Sequence, residues 1–493
     1  MIKRRLCDIL NETDVKINGY LDPQKEVRIA EYGEEADEST LFILTKTAKG
    51  TKRKLSGVNV PYAVICEEGD GECFPAAIRL YTENARKTLA ICYRNLYGID
   101  TTNIRLIAVT GTNGKTTVSR ILHYILRHAG ADVGYIGTGS VLINETEVSD
   151  KYYSMTTPDP KLLYKHIYDM QMFGCGYIII ESSSHAIALG KLAPLTFDAG
   201  IFTNLSSEHR DFHTDMQDYF NVKLSLFQKC KHGIFNLDCP YSRRAYQLAG
   251  CEKSSIGIIN KADVYATDIQ SRGLLGSSFF YREEGLIFGV DLSLIGAHNI
   301  YNTLMALRTA IVLGIPPCIA KRGINALAGI DGRMEHISDD ISVIIDYAHT
   351  PFAVENTLKT LFSIKRKRQN LILVIGCGGE RDKEKRREIG SIAEKYCDKI
   401  YLTEDNSRGE KTENIISEIL EGVREKESVT VIPDRRDAIE TAILTAAIGD
   451  IIAILGKGRE GYIIGNDGYR DFSDKGEALH ALRQRKMKNE NNA

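Results

Sequence analysis

No apolar run in this 493-residue sequence approaches the roughly 20 residues that a membrane-spanning helix requires, so a helical membrane protein is not expected. An excess of charge is missing too. Its 63 Lys and Arg stand against 65 Asp and Glu, so no global field recruits nucleic acid or an acidic membrane, and small anionic ligands must be held by local sites. The 11 cysteines form no CxxC pair and no metal-like spacing, which argues against a disulfide framework and for reduced, structural thiols. Cys377, in the turn Gly376-Cys377-Gly378-Gly379, is read the same way. Near the N-terminus, Asn11, Glu12 and Asp14 interrupt the apolar residues at once, so no signal-peptide core forms and a cytoplasmic location is expected. Tryptophan, low-complexity tracts and internal repeats are also absent.

What is present is a phosphate cradle, Thr110-Gly111-Thr112-Asn113-Gly114-Lys115-Thr116-Thr117. Residues 104–109 read as a buried strand. Val118, Ile121, Leu122, Ile125 and Leu126 then recur with helical spacing until Gly130. Glycines let the backbone approach a phosphate, and the helix N-terminus offers free N–H donors and partial positive charge. Lys115 can supply an ammonium and Thr116 a magnesium ligand, so ATP is the expected guest. The general P-loop pattern fails because Val109 stands where it wants a glycine, yet the chemistry of the loop survives.

From about residue 100 onward, apolar runs repeatedly end in polar or glycine-rich segments: 177–180 before Glu181, 343–345 before Asp346, 371–375 before Gly376, 400–402 before Thr403, and 451–455 before Gly456. Such runs alternating with helices predict parallel sheets covered on both faces, with ligands at the carboxyl ends of the strands. The expected fold is α/β in three domains: a small mixed N-terminal domain over 1–100, a central P-loop-type parallel sheet over 101–331, and a C-terminal Rossmann-like domain over 332–493. A basic cluster in the first, Lys46, Lys49, Lys52, Arg53 and Lys54, reads as solvated surface more readily than as a diphosphate contact.

Glu181 at a strand end can hold magnesium beside the loop. His185 reads equally as a contact or a core histidine. His209 and His213, four apart, suggest zinc only weakly because no third soft ligand is near. Arg333, beside the second boundary, is placed to close onto a γ-phosphate as a finger in cis. Taken alone, Lys223 would be a surface residue on an amphipathic helix.

The GTNGKTT loop and the motifs downstream, together spanning about 107–462, resemble those of the Mur ligase family, which forms amide bonds in peptidoglycan precursor synthesis. The resemblance implies ATP and Mg2+, with Gly111, Thr112, Asn113, Gly114, Lys115, Thr116, Thr117, Asn299, Asn302, Arg333 and Asp346 around the nucleotide. Segment 203–213 is similar to the family's TNL-x-x-DH-LD-x-H signature, with Glu208 for Asp and Arg210 for Leu. It implies a second magnesium site at His209, and the neighbouring segment 219–227 implies carbamylation of Lys223. Catalysis then falls to Lys115, Glu181, His209, Lys223 and Arg333, with metal at Thr116, Glu181, His209 and Lys223.

Among the family's branches, the closest resemblance is to the one that adds the third stem-peptide residue to a UDP-muramyl-dipeptide. It places the acceptor against Thr156, Thr157, Ser183 and Lys191 and the amino acid against Arg386, Asp405, Asn406, Arg408, Gly456 and Glu460. DNSR and GKGRE replace the usual DNPR and GKGHE; Arg408 keeps a fork for a distal carboxylate, which favours meso-diaminopimelate over L-lysine. The family's uridine-contacting DSR stretch is absent, and only Ser39-Thr40-Leu41-Phe42 resembles the residues on its C-terminal side. Two alternatives stay open: a relative joining an amino acid to a non-muramyl carboxylate, and a nucleotide-operated regulatory protein. Small-molecule substrates, no nucleic acid and a monomer are expected.

Overall fold

A computed structural model describes residues 2–17, 20–31, 35–45, 60–68, 78–206, 212–338 and 340–492. The basic cluster at Lys46, Lys49, Lys52, Arg53 and Lys54 lies outside the described residues, as do Glu208, His209 and Arg210.

The chain forms three α/β domains, each built on its own sheet. In the first, the strands Glu26–Ala30, Thr40–Ile43, Ala63–Cys66 and Ile78–Tyr81 run parallel, and the helix Ala85–Tyr97 covers one face. That helix starts where Asn84 accepts from the Lys87 amide and ends at Gly98 in the left-handed conformation. Its apolar face joins that of the helix Pro160–Phe173 in one cluster containing Leu89, Tyr93, Leu96, Leu163, Tyr164 and Ile167, so the first two domains share a core. Each such fully buried aliphatic or aromatic side chain contributes about 1.5–3 kcal/mol.

Among the described residues the central sheet has eleven strands, with a parallel run in the order Val133–Gly137, Tyr177–Glu181, Arg105–Thr110, Phe197–Phe202, Cys230–Asn236 and Glu252–Gly257. Ile107, Val109, Ile179 and Ile201 are wholly buried under the helices Lys115–His128 and Ala297–Val312, which is why these strands read as continuous apolar runs. Register places Glu181 opposite Val109, so the acid ends its strand beside the phosphate loop.

In the third domain Ser342–Asp346, Ile451–Leu455, Leu371–Ile375 and Lys399–Leu402 lie parallel, with apolar clusters on both faces of the sheet. The carboxyl ends of these strands carry Asp346, Gly376, Thr403 to Asp405 and Gly456. A site at those ends follows from the topology. No described helix is long and apolar enough to cross a membrane.

Candidate active site

The loop 111–114 joins the strand Arg105–Thr110 to the helix Lys115–His128 with two backbone positions suited to glycine, Gly111 at φ 143° and Gly114 at φ 85°. It is clamped from below. Thr203 donates to the Asn113 carbonyl at 2.7 Å, the Asn113 amide donates to Asn204 Oδ1 at 3.0 Å, and the Thr112 amide donates to the Asn204 carbonyl at 2.9 Å. The Lys115 ammonium folds back over the loop onto the carbonyls of Gly111 at 3.0 Å and Thr112 at 2.9 Å. Free N–H groups at a helix N-terminus with an ammonium above them form an anion site.

Glu181 is wholly buried, and both of its oxygens accept hydrogen bonds: Oε1 from Tyr135 at 2.6 Å and Oε2 from Thr138 at 2.8 Å. Burial first, then the neighbouring Glu181, pushes the Tyr135 hydroxyl far above its ordinary value, so it remains a donor. The expected acceptor residues converge here. Thr156 shares a hydroxyl contact with Thr138 at 3.0 Å, Thr157 donates to the Glu181 carbonyl at 2.7 Å, and the Ser183 amide donates to Thr157 at 3.1 Å. Lys191 reaches the Thr157 carbonyl at 3.4 Å and Asp159 at 2.8 Å.

Lys223 is not a surface residue. It is 1% exposed on the helix Met216–Ser225, with Nζ 3.1 Å from the Gly111 carbonyl and 4.8 Å over the Tyr219 ring. Tyr219 in turn meets Thr112 hydroxyl to hydroxyl at 3.2 Å. His213 precedes that helix and bonds Asp218 through Nδ1 at 2.9 Å, leaving Nε2 buried without a partner. Its partner in the expected signature, His209, lies outside the described residues. No cluster of three or more His, Cys, Asp or Glu suited to a metal occurs among the described residues, which include His213 but not His209.

From the third domain, Arg333 donates to Thr116 Oγ1 at 2.8 Å and lies 4.6 Å over the Tyr347 ring. Asp346 accepts from the Met334 amide at 2.6 Å and the Ala348 amide at 2.8 Å, and so fixes the backbone next to Arg333. Burial pushes the Asp346 carboxyl up, against the pull of Arg333, and pushes the neighbouring His298 imidazole down. Asn302 donates to Asn299 Oδ1 at 2.9 Å, and its own Oδ1 lies 2.7 Å from where a Cβ on Gly114 would fall, so this pair buttresses the loop.

The amino-acid segment forms a second polar nest. Asn406 donates to Glu460 at 2.9 Å, and buried Lys457 donates to Asn406 Oδ1 at 3.1 Å and to Glu460 at 2.9 Å. Asp405 lies 3.7 Å from Lys457; burial alone would raise its carboxyl, but Lys457 and Arg435 outweigh that and hold it below the ordinary range. Gly456 leaves the room that Asp405 needs, since a Cβ there would fall 2.8 Å from Oδ2. Arg408 donates to the Gly379 carbonyl at 2.9 Å and flanks Gly378. Arg386 departs from expectation. Its guanidinium is wholly buried against Glu410 at 2.9 Å and Glu418 at 2.7 Å, so it braces the loop rather than facing a ligand. Arg386 also donates to the Gly378 carbonyl at 3.1 Å, while Arg381, on the other side of the turn, is exposed.

Sequence reasoning missed Tyr135, Thr138, Lys457 and Arg381. Thr138 directly follows the strand Val133–Gly137, and so carried the same strand-end signal that found Glu181. Tyr135, inside an apolar strand, carried none.

A cavity of about 190 Å³ joins the two nests, lined by Thr138, Glu147, Arg333, Tyr347, Arg459 and Glu460. Residues 109–310 match the Mur ligase middle domain, and residues 332–458 match the domain described as Mur ligase, glutamate ligase domain. A UDP-N-acetylmuramoyl-L-alanyl-D-glutamate--2,6-diaminopimelate ligase from Clostridioides difficile is 36% identical over 494 residues, covering 97% of this chain and 99% of its own. A solved ligase of that same description superposes with a TM-score of 0.66 at 27% identity, covering 98% of this chain and 99% of its own. The MurF ligase from Thermotoga maritima in complex with ADP shares the fold, with a TM-score of 0.60 at 16% identity over 94% of this chain and 98% of its own.

Proposed function

The chain belongs to the Mur ligase family, and from that premise we propose that it joins meso-diaminopimelate to UDP-N-acetylmuramoyl-L-alanyl-D-glutamate, with ATP as the energy source. It is an ATP-dependent acid–amino-acid ligase of peptidoglycan precursor synthesis. The observation that carries the reading is Arg333, which extends from the third domain onto Thr116 of the phosphate loop and joins the ATP site to the amino-acid nest. Residues 1–100 and the Thr156, Thr157, Ser183 and Lys191 surface hold the acceptor, 101–331 the nucleotide, and 332–493 the amine.

An acceptor carboxylate oxygen attacks the γ-phosphorus, the bond to ADP breaks, and an acyl phosphate forms. The amine nitrogen then attacks the acyl carbon, inorganic phosphate leaves, and the amine gives up a proton. Lys115 and Arg333 offset charge on the transferred group, while Asn299, Asn302 and Asp346 hold the nucleoside end. Closure of the third domain excludes water from the acyl phosphate. Asn406, Arg408, Gly456 and Glu460 orient the amine, with Arg381, which like Arg408 flanks Gly378, in the role expected of Arg386.

The donors Thr116 and Glu181 are hard oxygens at adjoining loop and strand ends, which suits magnesium, an ion that takes few protein ligands and completes its shell with phosphate and water. When bound, magnesium neutralises charge on the β- and γ-phosphates. Lys223 and His209 complete the proposed metal set, Lys223 as its carbamate, a carboxylate on a long stem. The protein acts in the cytoplasm as a monomer.

The test is mass spectrometry of the product after incubation with UDP-muramyl-dipeptide, ATP, Mg2+ and a mixture of diaminopimelate, lysine and ornithine. The expected product carries diaminopimelate. ADP release that is independent of both acceptor and amine, without an amide product, would overturn the reading.

A further inference from the structure

Where the family pattern has histidine, this chain has Arg459, and that side chain leaves its own domain. Its guanidinium donates to Glu147 at 2.8 Å, across the cavity between the central and third domains. Glu147 is a prepared receptor. It sits in the short hairpin strand Thr146–Glu147, and its oxygens already accept from the Val141 amide at 2.9 Å, from Ser140 at 2.8 Å and from Ser149. Burial would raise this carboxyl, but the donors from Ser149 and Arg459 outweigh it, so Glu147 keeps its charge.

The backbone around Arg459 is equally committed. A Cβ on Gly332 would fall 2.3 Å from the Arg459 amide nitrogen, so the 456–461 loop packs directly on the residue before Arg333. The next residue, Glu460, belongs to the amino-acid nest. One side chain thus ties the loop holding Glu460, and the segment holding Arg333, to the central domain.

Neighbouring contacts run in the same direction. Tyr152 of the central domain meets Tyr469 at a tilt with ring centroids 4.8 Å apart and Tyr462 edge-on at 5.9 Å, and Lys151 pairs with Asp471 at 2.7 Å. Lys151 and Asp471 are 63% and 64% exposed, so their pair contributes little. Arg459 and Glu147, at 31% and 39% and with the acid fixed by three other donors, form the stronger link.

We infer that Arg459 is a positioning residue: paired with Glu147, it latches the third domain onto the central domain and holds Glu460 and Arg333 in place for the amine to meet the acyl phosphate. The inference rests on the ligase reading under Proposed function. The latch acts through this one pair, so removing either partner, or both together, should cost the same.

The absence of tryptophan supplies the reporter. Tyr469→Trp introduces the chain's sole tryptophan at the Tyr152 contact, and its emission follows latching. In that background Arg459→Ala and Glu147→Ala shift the emission toward that of a solvated indole in the presence of a nonhydrolysable ATP analogue and Mg2+. Turnover falls about five- to tenfold, with a raised KM for the amine. Arg459→Lys, which keeps the charge, loses less. The double variant Glu147→Ala with Arg459→Ala shifts emission and turnover no further than either single variant, whereas two independent local roles would add. Single variants matching the parent in both readouts, or a double variant whose loss equals the sum of the two single losses at an unchanged melting temperature, would overturn the latch. An emission response that depends on Glu147, in an enzyme that yields no amide product, would overturn the ligase reading and leave the latch standing.

Discussion

The Tyr135 hydroxyl donates to Glu181 Oε1 at 2.6 Å inside a wholly buried pocket, while Thr138 holds the other oxygen at 2.8 Å. A carboxylate aimed by two hydroxyls presents its remaining lone pairs in one fixed direction, and groups that orient a metal ligand affect affinity by about 10- to 100-fold. Tyr135→Phe keeps the ring that packs in the sheet and removes only the donor. Isothermal titration with Mg2+ plus a nonhydrolysable ATP analogue, and the Mg2+ dependence of turnover, are expected to show about tenfold weaker metal use with melting unchanged within about 1 kcal/mol.

Lys115→Ala tests the loop from the other side. The ammonium lies over two backbone carbonyls of its own loop rather than in the apolar core, so its removal leaves core packing intact. Turnover is expected to fall by at least about a hundred- to a thousandfold while the denaturation midpoint stays in place. Full activity in this variant would remove ATP from the loop altogether.

What the sequence made legible was set by period and spacing. Near-continuous apolar runs such as 177–180 could satisfy both sheet faces only in a parallel sheet, and strand-end polar residues such as Glu181 and Asp346 therefore fell where the topology puts ligands. Arg386 failed for a physical reason. An arginine five residues past the Arg381 turn can face a ligand or its own helix neighbours, and only tertiary structure reveals that Glu410 and Glu418 claim it. Lys223 is the converse: its helix has a surface pattern, but the Gly111 carbonyl and the Tyr219 ring enclose it. Contacts between domains, such as Arg459 to Glu147 across 312 residues, leave no local trace.

Acid stability should reveal the Arg386 clamp. Hydrogen bonding from Arg386, then from the Glu380 amide, holds the Glu410 carboxyl at about 2 against its ordinary 4.5. The folded-state value is depressed, so the contribution is fully present above the ordinary value and is lost as pH falls toward 2. Glu410→Gln removes this proton uptake. Its unfolding free energy, measured by urea titration, should be lower than the parent's by about 1.5–3 kcal/mol at neutral pH and depend less steeply on pH between about 5 and 3. A parallel pair of curves would exclude Glu410 as a contributor.

Gly111→Ala separates backbone geometry from side-chain chemistry in the phosphate loop. At φ 143° an L-residue is strained, and a Cβ would fall 1.9 Å from Thr203 Oγ1 and 3.0 Å from the Asn204 carbonyl. Thr203 cannot swing aside freely, because its hydroxyl holds the Asn113 carbonyl at 2.7 Å. Either the loop lifts or that clamp breaks, and both move the N–H donors from the positions that would meet a phosphate. The expected outcome is a stability loss of about 1–3 kcal/mol together with at least about tenfold weaker ATP binding. Lys115→Ala, by contrast, should lose turnover with stability retained. Gly250→Ala, where nothing lies within 4 Å of the added carbon, should change neither quantity. Calorimetric titration of ATP and urea melts on the three variants distinguish these outcomes, and an unimpaired Gly111→Ala would mean that the clamped loop is not the conformation that receives phosphate.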